Sequence, residues 1–91
     1  MESRVALIGI IIENSASVEK MNLILHQFAQ YIIGRMGVPY SKKNIAIISI
    51  ALDAPGDVIS SLSGKLGMLP GVSTKTIYSK VACNESGGPS S

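Results

Sequence analysis

The chain has 91 residues, enough to bury one small hydrophobic core but too few to form two separate domains. Hydrophobic residues make up 46% of it, yet it contains only three Tyr, one Phe and no Trp, so the predicted core is aliphatic. The formal net charge is +2 and the eight basic residues are scattered, which argues against the dense basic surface of a nucleic-acid-binding protein.

The cysteine content and the N-terminal sequence favour a reducing, cytoplasmic location. The one cysteine, Cys83, has no second cysteine with which to form an internal disulfide. Glu2 and Arg4 precede the first apolar run, and no small-residue cleavage pattern follows it, so we expect no signal peptide. The longest apolar stretch, Val5 to Ile12, is too short to span a bilayer, so we expect no membrane association.

The first half of the chain predicts a strand, a helix and a second strand. Residues 4–13, RVALIGIIIE, are rich in β-branched side chains and apolar on both faces of a strand. The Asn and Ser residues of 14–17 are possible N-caps of a helix that follows. Its apolar stripe consists of Val18, Met21, Ile24, Leu25 and Phe28. Residues 30–38 predict the second strand, and residues 39–43 the connection after it.

The second half predicts a strand, a helix and a final strand. Residues 44–53 are again apolar on both faces. Asp53 is the predicted N-cap of the second helix, with Pro55 in its first turn, and Gly67 followed by Pro70 ends this helix. Its apolar face consists of Val58, Ile59, Leu62, Leu66 and Leu69.

The order of these elements predicts one α+β domain over residues 1–80. After the second helix, residues 71–80 predict a fourth strand of more polar character. The order βαββαβ is typical of the ferredoxin-like fold, a four-stranded antiparallel sheet with two helices on one face. The first and third strands are central in this fold, which agrees with their two apolar faces. Residues 81–91, rich in Gly and Ser, are predicted to form a flexible tail.

One face of the predicted sheet has no helix to cover it. Apolar side chains of the central strands would be exposed there in a monomer, so we expect a homodimer or a higher homo-oligomer through this sheet face. Strand parity leaves two alternatives for the side chains that lie on it. They are either Val5, Leu7 and Ile11 with Ile45 and Ile47, or Ala6, Ile8, Ile10 and Ile12 with Ile48 and Ile50.

The segment GRMGVPYSKKN, residues 34–44, allows two interpretations. Gly34 and Gly37 interrupt a strand, which can mark a bulge or the close approach of another backbone or a ligand. Arg35 could bind an anion through two parallel hydrogen bonds, and Tyr40 would lie at the rim of such an interface. An ordinary hairpin connection explains the same segment, because Pro, Ser, Asn and Lys all suit a turn at a sheet edge.

A second candidate ligand site is the loop that precedes the first helix. Asn14 and Ser15 lie where backbone N–H groups and the helix dipole favour anions, although simple capping would use the same residues. His26 alone cannot form a metal site. Because no catalytic group of residues is found, we predict a non-enzymatic protein, without metal ligands and with no identifiable cofactor.

Four strings carry a resemblance to a known family: YIIGRMGVPY, NIAIISIALDAP, DVISSLSGKLGMLPGV and TIYSK. Together they resemble the iron-only hydrogenase system regulators, over about residues 4–80. The resemblance implies an ACT-like, ferredoxin-like fold and a cytoplasmic regulatory or sensor module in an anaerobic bacterium. It also implies similarity to the effector domain of the nickel-responsive regulator and to amino-acid-binding ACT domains, in which a small-molecule effector or a partner binds at a subunit interface.

The sequence departs from both groups of ligand-binding relatives. The loop IENSASVEK lacks the glycine that ACT domains place there, and His26 and Cys83 do not make up the several histidines of a nickel site. Two alternatives therefore stand beside the regulatory module: a purely structural homo-oligomeric interaction protein without a small ligand, and a metal-sensing effector domain. We expect no direct nucleic-acid binding, because one βαββαβ unit leaves no residues for a helix-turn-helix.

Overall fold

A four-stranded antiparallel sheet organises residues 3–80, the part of the chain that the computed structural model describes, and its strand order is β2-β3-β1-β4. The elements in chain order are β1 (Ser3–Ile12), α1 (Ser17–Gln27), β2 (Ile32–Tyr40), β3 (Ile45–Pro55), α2 (Gly56–Gly67) and β4 (Val72–Tyr78). This order confirms the predicted α+β, ferredoxin-like fold. The predicted tail, residues 81–91, lies outside the described residues.

The two strands predicted to be central, β1 and β3, are central. They pair antiparallel from Ser3 opposite Pro55 to Ile12 opposite Ala46. The strand β4 pairs with the other edge of β1, and β2 pairs with the other edge of β3. Both edge strands are therefore positioned by the register of the central pair.

The hydrophobic core lies between the sheet and the two helices. Alternate residues of β1 and β3 are buried there, and they pack against one apolar face of each helix. The buried apolar residues are Ala6, Ile8, Ile10, Ile12, Met21, Leu25, Ile48, Ile50, Leu52, Ala54, Ile59, Leu62 and Leu66. The even-numbered set of the two parity alternatives therefore faces the helices, and the set with Val5, Leu7 and Ile47 faces away.

The start of α2 differs from the prediction. Asp53 was predicted to cap this helix, but β3 continues through it to Pro55, and Pro55 takes the N-cap position. The physical reason is that Asp53 pairs with Val5, so the ladder between the central strands extends past the position where a local cap would have ended it. Asp57 lies in the first turn instead, and its Oδ1 accepts a hydrogen bond of 3.0 Å from the backbone N–H of Val58.

The strand β2 begins and ends later than predicted. A 3₁₀ turn at Ala29–Tyr31 precedes it, and Pro39, which was assigned to the connection, lies within the strand opposite Ala46. Proline is tolerated because β2 is an edge strand and has a side without ladder hydrogen bonds. The connection itself is a 3₁₀ turn at Ser41–Lys43 that ends at Asn44, whose φ of 59° is left-handed.

The loop before β4 is fastened to the loop after β1 through Gly71. The backbone N–H of Glu13 donates to the Gly71 carbonyl at 2.7 Å, and the buried Ser17 hydroxyl donates to the Pro70 carbonyl at 2.6 Å. Gly71 has a φ of +69°, and a Cβ atom added there would lie 2.8 Å from the Cβ of Asn14. Both the backbone conformation and the available space therefore require glycine at this position.

We predict that Gly71→Ala lowers the free energy of unfolding by at least about 2 kcal/mol, because the left-handed backbone and the contact with Asn14 both penalise a Cβ atom. Chemical denaturation followed by circular dichroism measures this loss. Gly64→Ala is the matched control: a Cβ atom at that position of α2 meets nothing within 4 Å. It should leave stability unchanged or raise it by up to about 1 kcal/mol. Equal stability of the two variants would contradict the prediction.

Candidate functional site

The sheet face opposite the helices is open and mainly apolar, and we call it the open face. Its members are the strand residues that alternate with the buried ones, as the strand register defines them. They are Ser3, Val5, Leu7, Gly9 and Ile11 of β1, Ile45, Ile47, Ser49, Ala51, Asp53 and Pro55 of β3, Gly34, Met36, Val38 and Tyr40 of β2, and Ser73, Lys75 and Ile77 of β4.

Large apolar side chains of the open face are exposed even at the centre of the sheet. Leu7 is 41% exposed, Ile11 42% and Ile47 42%, although all three lie on central strands. The edge strands add Met36 and Ile77, each 63% exposed. Single exposed apolar residues are common on protein surfaces, but a continuous apolar sheet face marks a surface of interaction.

A groove of about 360 Å³ crosses the middle of the open face. Gly9 pairs with Ser49 on one side and with Lys75 on the other, so these three residues form one row across the sheet. The row has small side chains at its centre, and the neighbouring row contains the larger Ile11 and Ile47. The groove can therefore receive side chains from a molecule that packs on the sheet.

A second cleft, of about 390 Å³, lies on the helix side of the sheet between α1 and the edge strand β2. The residues that line it are Asn22, Leu25, His26, Ala29, Ile32 and Arg35. The Nη2 atom of Arg35 donates a hydrogen bond of 3.1 Å to Oδ1 of Asn22. The guanidinium is exposed and retains further donors, so it can bind an anion in this cleft.

The four predicted site residues of β2 are divided between the two faces of the sheet. Gly34 and Tyr40 lie on the open face, whereas Arg35 lines the cleft beside α1. Gly37, the other glycine predicted to mark the close approach of a backbone or a ligand, lies on the face opposite to Gly34, because it pairs with the core residue Ile48. The structure therefore does not bring these residues together into one site.

The two glycines of β2 have no close neighbour within residues 3–80 that would exclude a side chain. A Cβ atom at Gly34 would meet nothing within 4 Å, and one at Gly37 would lie 3.7 Å from Cγ1 of Ile48, an ordinary contact. Packing within the described chain therefore does not explain why these two positions are glycine. The register shift between Ile32 and Gly34 gives the predicted bulge a definite place in β2.

Asn14 and Ser15 lie apart from the other candidates, in the loop between β1 and α1. The Oδ1 of Asn14 accepts a hydrogen bond of 3.0 Å from the backbone N–H of Ala16, and its carbonyl accepts one of 2.9 Å from Ser17. The N-cap of α1 is Ala16, so none of the predicted Asn and Ser caps occupies that position. Asn14 instead forms a local turn that starts the helix.

Residues 3–80 contain neither a cluster of metal ligands nor a membrane-crossing helix. No group of three or more His, Cys, Asp or Glu side chains in this part of the chain could hold a metal ion. Neither α1 nor α2 combines the length and hydrophobicity that a membrane-crossing helix needs.

Two charged residues of the open face, Asp53 and Lys75, were not predicted as site residues. Asp53 was assigned to a helix cap, and Lys75 to the polar character of the last strand. The sequence contains a signal for both. Each is a charged residue whose neighbours at two positions before and after it, on the same face of the strand, are uncharged. Only the strand register shows that the two residues face the same way.

Comparison with known proteins adds to this geometry. Residues 4–76 match the family described as "TM1266-like: Iron-only hydrogenase system regulator, putative". The solved structure of the uncharacterized protein TM1266 from Thermotoga maritima is similar, with 36% sequence identity and a TM-score of 0.84. The match covers 87% of this chain and 100% of that chain. No curated protein matches the chain.

We predict that Asn14→Ala lowers the free energy of unfolding by about 1 kcal/mol, because the backbone N–H of Ala16 loses its acceptor. Ser15→Ala is the control, since within residues 3–80 the side chain of Ser15 makes no hydrogen bond, and its effect should stay within about 0.5 kcal/mol. Urea denaturation of the two variants compares them. An Asn14→Ala protein as stable as the wild type would contradict a structural role for this side chain.

Proposed function

The chain belongs to the TM1266-like family of iron-only hydrogenase system regulators, and we propose that it is a non-catalytic regulatory module that works by protein association at its open face. The family match supports the link to the hydrogenase system. We also propose a cytoplasmic location, as expected for a chain whose one cysteine has no second cysteine to pair with.

The observation that carries the proposal is the exposed apolar surface of the two central strands. A four-stranded sheet with strands of this length presents a face of about 19 Å by about 30 Å, or roughly 600 Å². Covering it on two molecules would bury roughly 1,200 Å² in total, the lower end of the range for specific, stable interfaces. The open face is therefore large enough to support association of this chain with a protein partner or with a second copy.

Association at this face gives a regulator a simple way to respond to a signal. The groove at Gly9, Ser49 and Lys75 lies in the middle of the surface that a partner would cover. A small effector bound there would compete with the partner or be enclosed by it, and either event would change the strength of association. In this proposal the state of association is the regulatory signal.

We predict that Ile47→Glu prevents association without unfolding the subunit. Ile47 is 42% exposed on the central strand β3 of the open face, and covering a carboxylate there without a partner charge costs free energy. Sedimentation equilibrium should show an associated wild type and a monomeric variant, with equal circular dichroism. Leu23→Glu is the matched control, because Leu23 is 66% exposed on α1, away from the open face, and this variant should still associate. A monomeric wild type at micromolar concentration would contradict self-association at the open face.

The regulatory part of the proposal needs a separate experiment in the native host. A strain that lacks the gene should be complemented with the wild type, with Ile47→Glu or with Leu23→Glu, and the transcripts and the activity of the iron-only hydrogenase should be measured. We expect the wild type and Leu23→Glu to restore the normal level and Ile47→Glu to fail. An unchanged hydrogenase in the deletion strain would contradict a regulatory function and would leave the association result intact.

A further inference from the structure

We propose that a second copy of this chain covers the open face, with a two-fold axis that passes between the two sheets over Leu7, so that Asp53 of each copy pairs with Lys75 of the other. The inference rests on the proposed function, because it names the partner of the open face and the geometry of the contact. Two observations carry it: the charges of the face and the strand register.

Asp53 and Lys75 are the charged residues among the members of the open face. Both are exposed, and neither forms an ion pair or a side-chain hydrogen bond with another residue of the 3–80 segment. They lie two strands and four residues apart, a separation of about 16 Å, which is too long for an ion pair within one chain. Each charge is therefore available to another molecule.

A face with one positive and one negative charge is complementary to a second copy of itself. In a two-fold symmetric contact, if Asp53 of the first copy contacts Lys75 of the second, then Lys75 of the first copy also contacts Asp53 of the second. Every charge pair therefore forms twice. Covering the apolar surface removes water from both groups, and an unpaired charge in such an interface costs free energy. An arrangement that pairs Asp53 with Lys75 avoids this cost and also fixes the orientation of the two copies.

The register determines where the two-fold axis has to lie. The strand β1 runs between β3 and β4, Asp53 lies opposite Val5 of β1, and Lys75 lies opposite Gly9 of β1. The midpoint between the two charges is therefore Leu7, at the middle of a central strand. An axis over Leu7 brings each carboxylate to the ammonium group of the other copy and places Leu7 against Leu7.

The positions of the two charges also determine the direction of the axis and the angle at which the two sheets cross. The axis is perpendicular to the line from Asp53 to Lys75, and it runs from Leu7 across β3 towards Met36 of β2. Because that line is inclined to the strands, the strands of the two sheets cross at roughly 70°, nearer to the orthogonal class of sheet packing than to the aligned class. Leu7 and Met36, both large and exposed, lie along the centre of the contact.

The first test is a charge exchange, measured as the dimer dissociation constant by analytical ultracentrifugation. Lys75→Glu and Asp53→Lys each place like charges together twice, so each should raise the dissociation constant at least tenfold. The double variant Asp53→Lys/Lys75→Glu restores opposite charges in exchanged positions and should return to within threefold of the wild type. Lys20→Glu is the control, since it reverses an exposed charge on α1, away from the open face, and should change the constant less than threefold.

The second test is thiol cross-linking, which locates the axis. In a Cys83→Ser background, Leu7→Cys should form a covalent dimer with a short bifunctional methanethiosulfonate reagent. A residue on the axis faces its own copy across the roughly 10 Å that separates two packed sheets, a gap too wide for a direct disulfide. Ile11→Cys is the matched control, because Ile11 lies on the same strand and the same face and is exposed to nearly the same extent, 42% against 41% for Leu7. The proposed geometry separates the two copies of residue 11 by roughly 20 Å, so this variant should stay uncross-linked.

The outcomes separate this inference from the proposed function. A monomeric wild type overturns the two-fold dimer and its geometry, whereas the proposed function fails only if the hydrogenase is unchanged in the deletion strain. If Ile47→Glu dissociates the wild-type dimer but the double variant Asp53→Lys/Lys75→Glu dimerises no better than the single variants, the Asp53–Lys75 pairing alone is wrong. Cross-linking of Ile11→Cys at the rate of Leu7→Cys overturns the position of the axis. Rescue by the double variant together with selective cross-linking at position 7 supports the inference.

Discussion

The antiparallel pairing of β1 with β3 is the constraint on which the rest of this structure depends. It runs from Ser3 opposite Pro55 to Ile12 opposite Ala46 and so fixes the face on which every side chain of both strands lies. A shift of one residue would exchange the buried set with the exposed set. Both sets are rich in Ile, so hydrophobicity alone does not select the register. The observed register is the one in which Ile8, Ile10 and Ile50 fit into the core.

The same pairing produces a surface that the chain cannot bury by itself. Both helices lie on one face, so the opposite side chains of the central strands remain accessible however well the core is packed. Natural proteins rarely keep a continuous apolar sheet face in contact with water. The proposed regulatory function uses this property, because association then removes the apolar surface from water and its strength responds to anything that binds at the same place.

Two loops at one end of the sheet hold the fold together rather than forming an evident ligand site. Gly71 approaches Asn14, Ser17 donates to Pro70, and the hydrogen bond that the backbone N–H of Ala16 donates to Asn14 starts the first helix. Asn14 thus has a local structural role in this turn, although the N-cap position itself belongs to Ala16. Arg35 differs, because its guanidinium lies in a cleft and keeps donors beyond its bond to Asn22.

The sequence by itself determined the fold class, the central position of the first and third strands and the apolar faces of both helices, because these depend on periodicity and on the order of elements along the chain. The choice of which parity faces the helices stayed open, since both sets of the central strands contain several large apolar residues, although Ser49 and Asp53 belong to the exposed set. Asp53 was misassigned as a helix cap because a local pattern does not reveal that long-range pairing with Val5 continues to that point. Only the tertiary structure shows that Asp53 and Lys75 share one face and that Leu7 lies midway between them, because their alignment depends on the hydrogen bonds of strands that are distant in the chain.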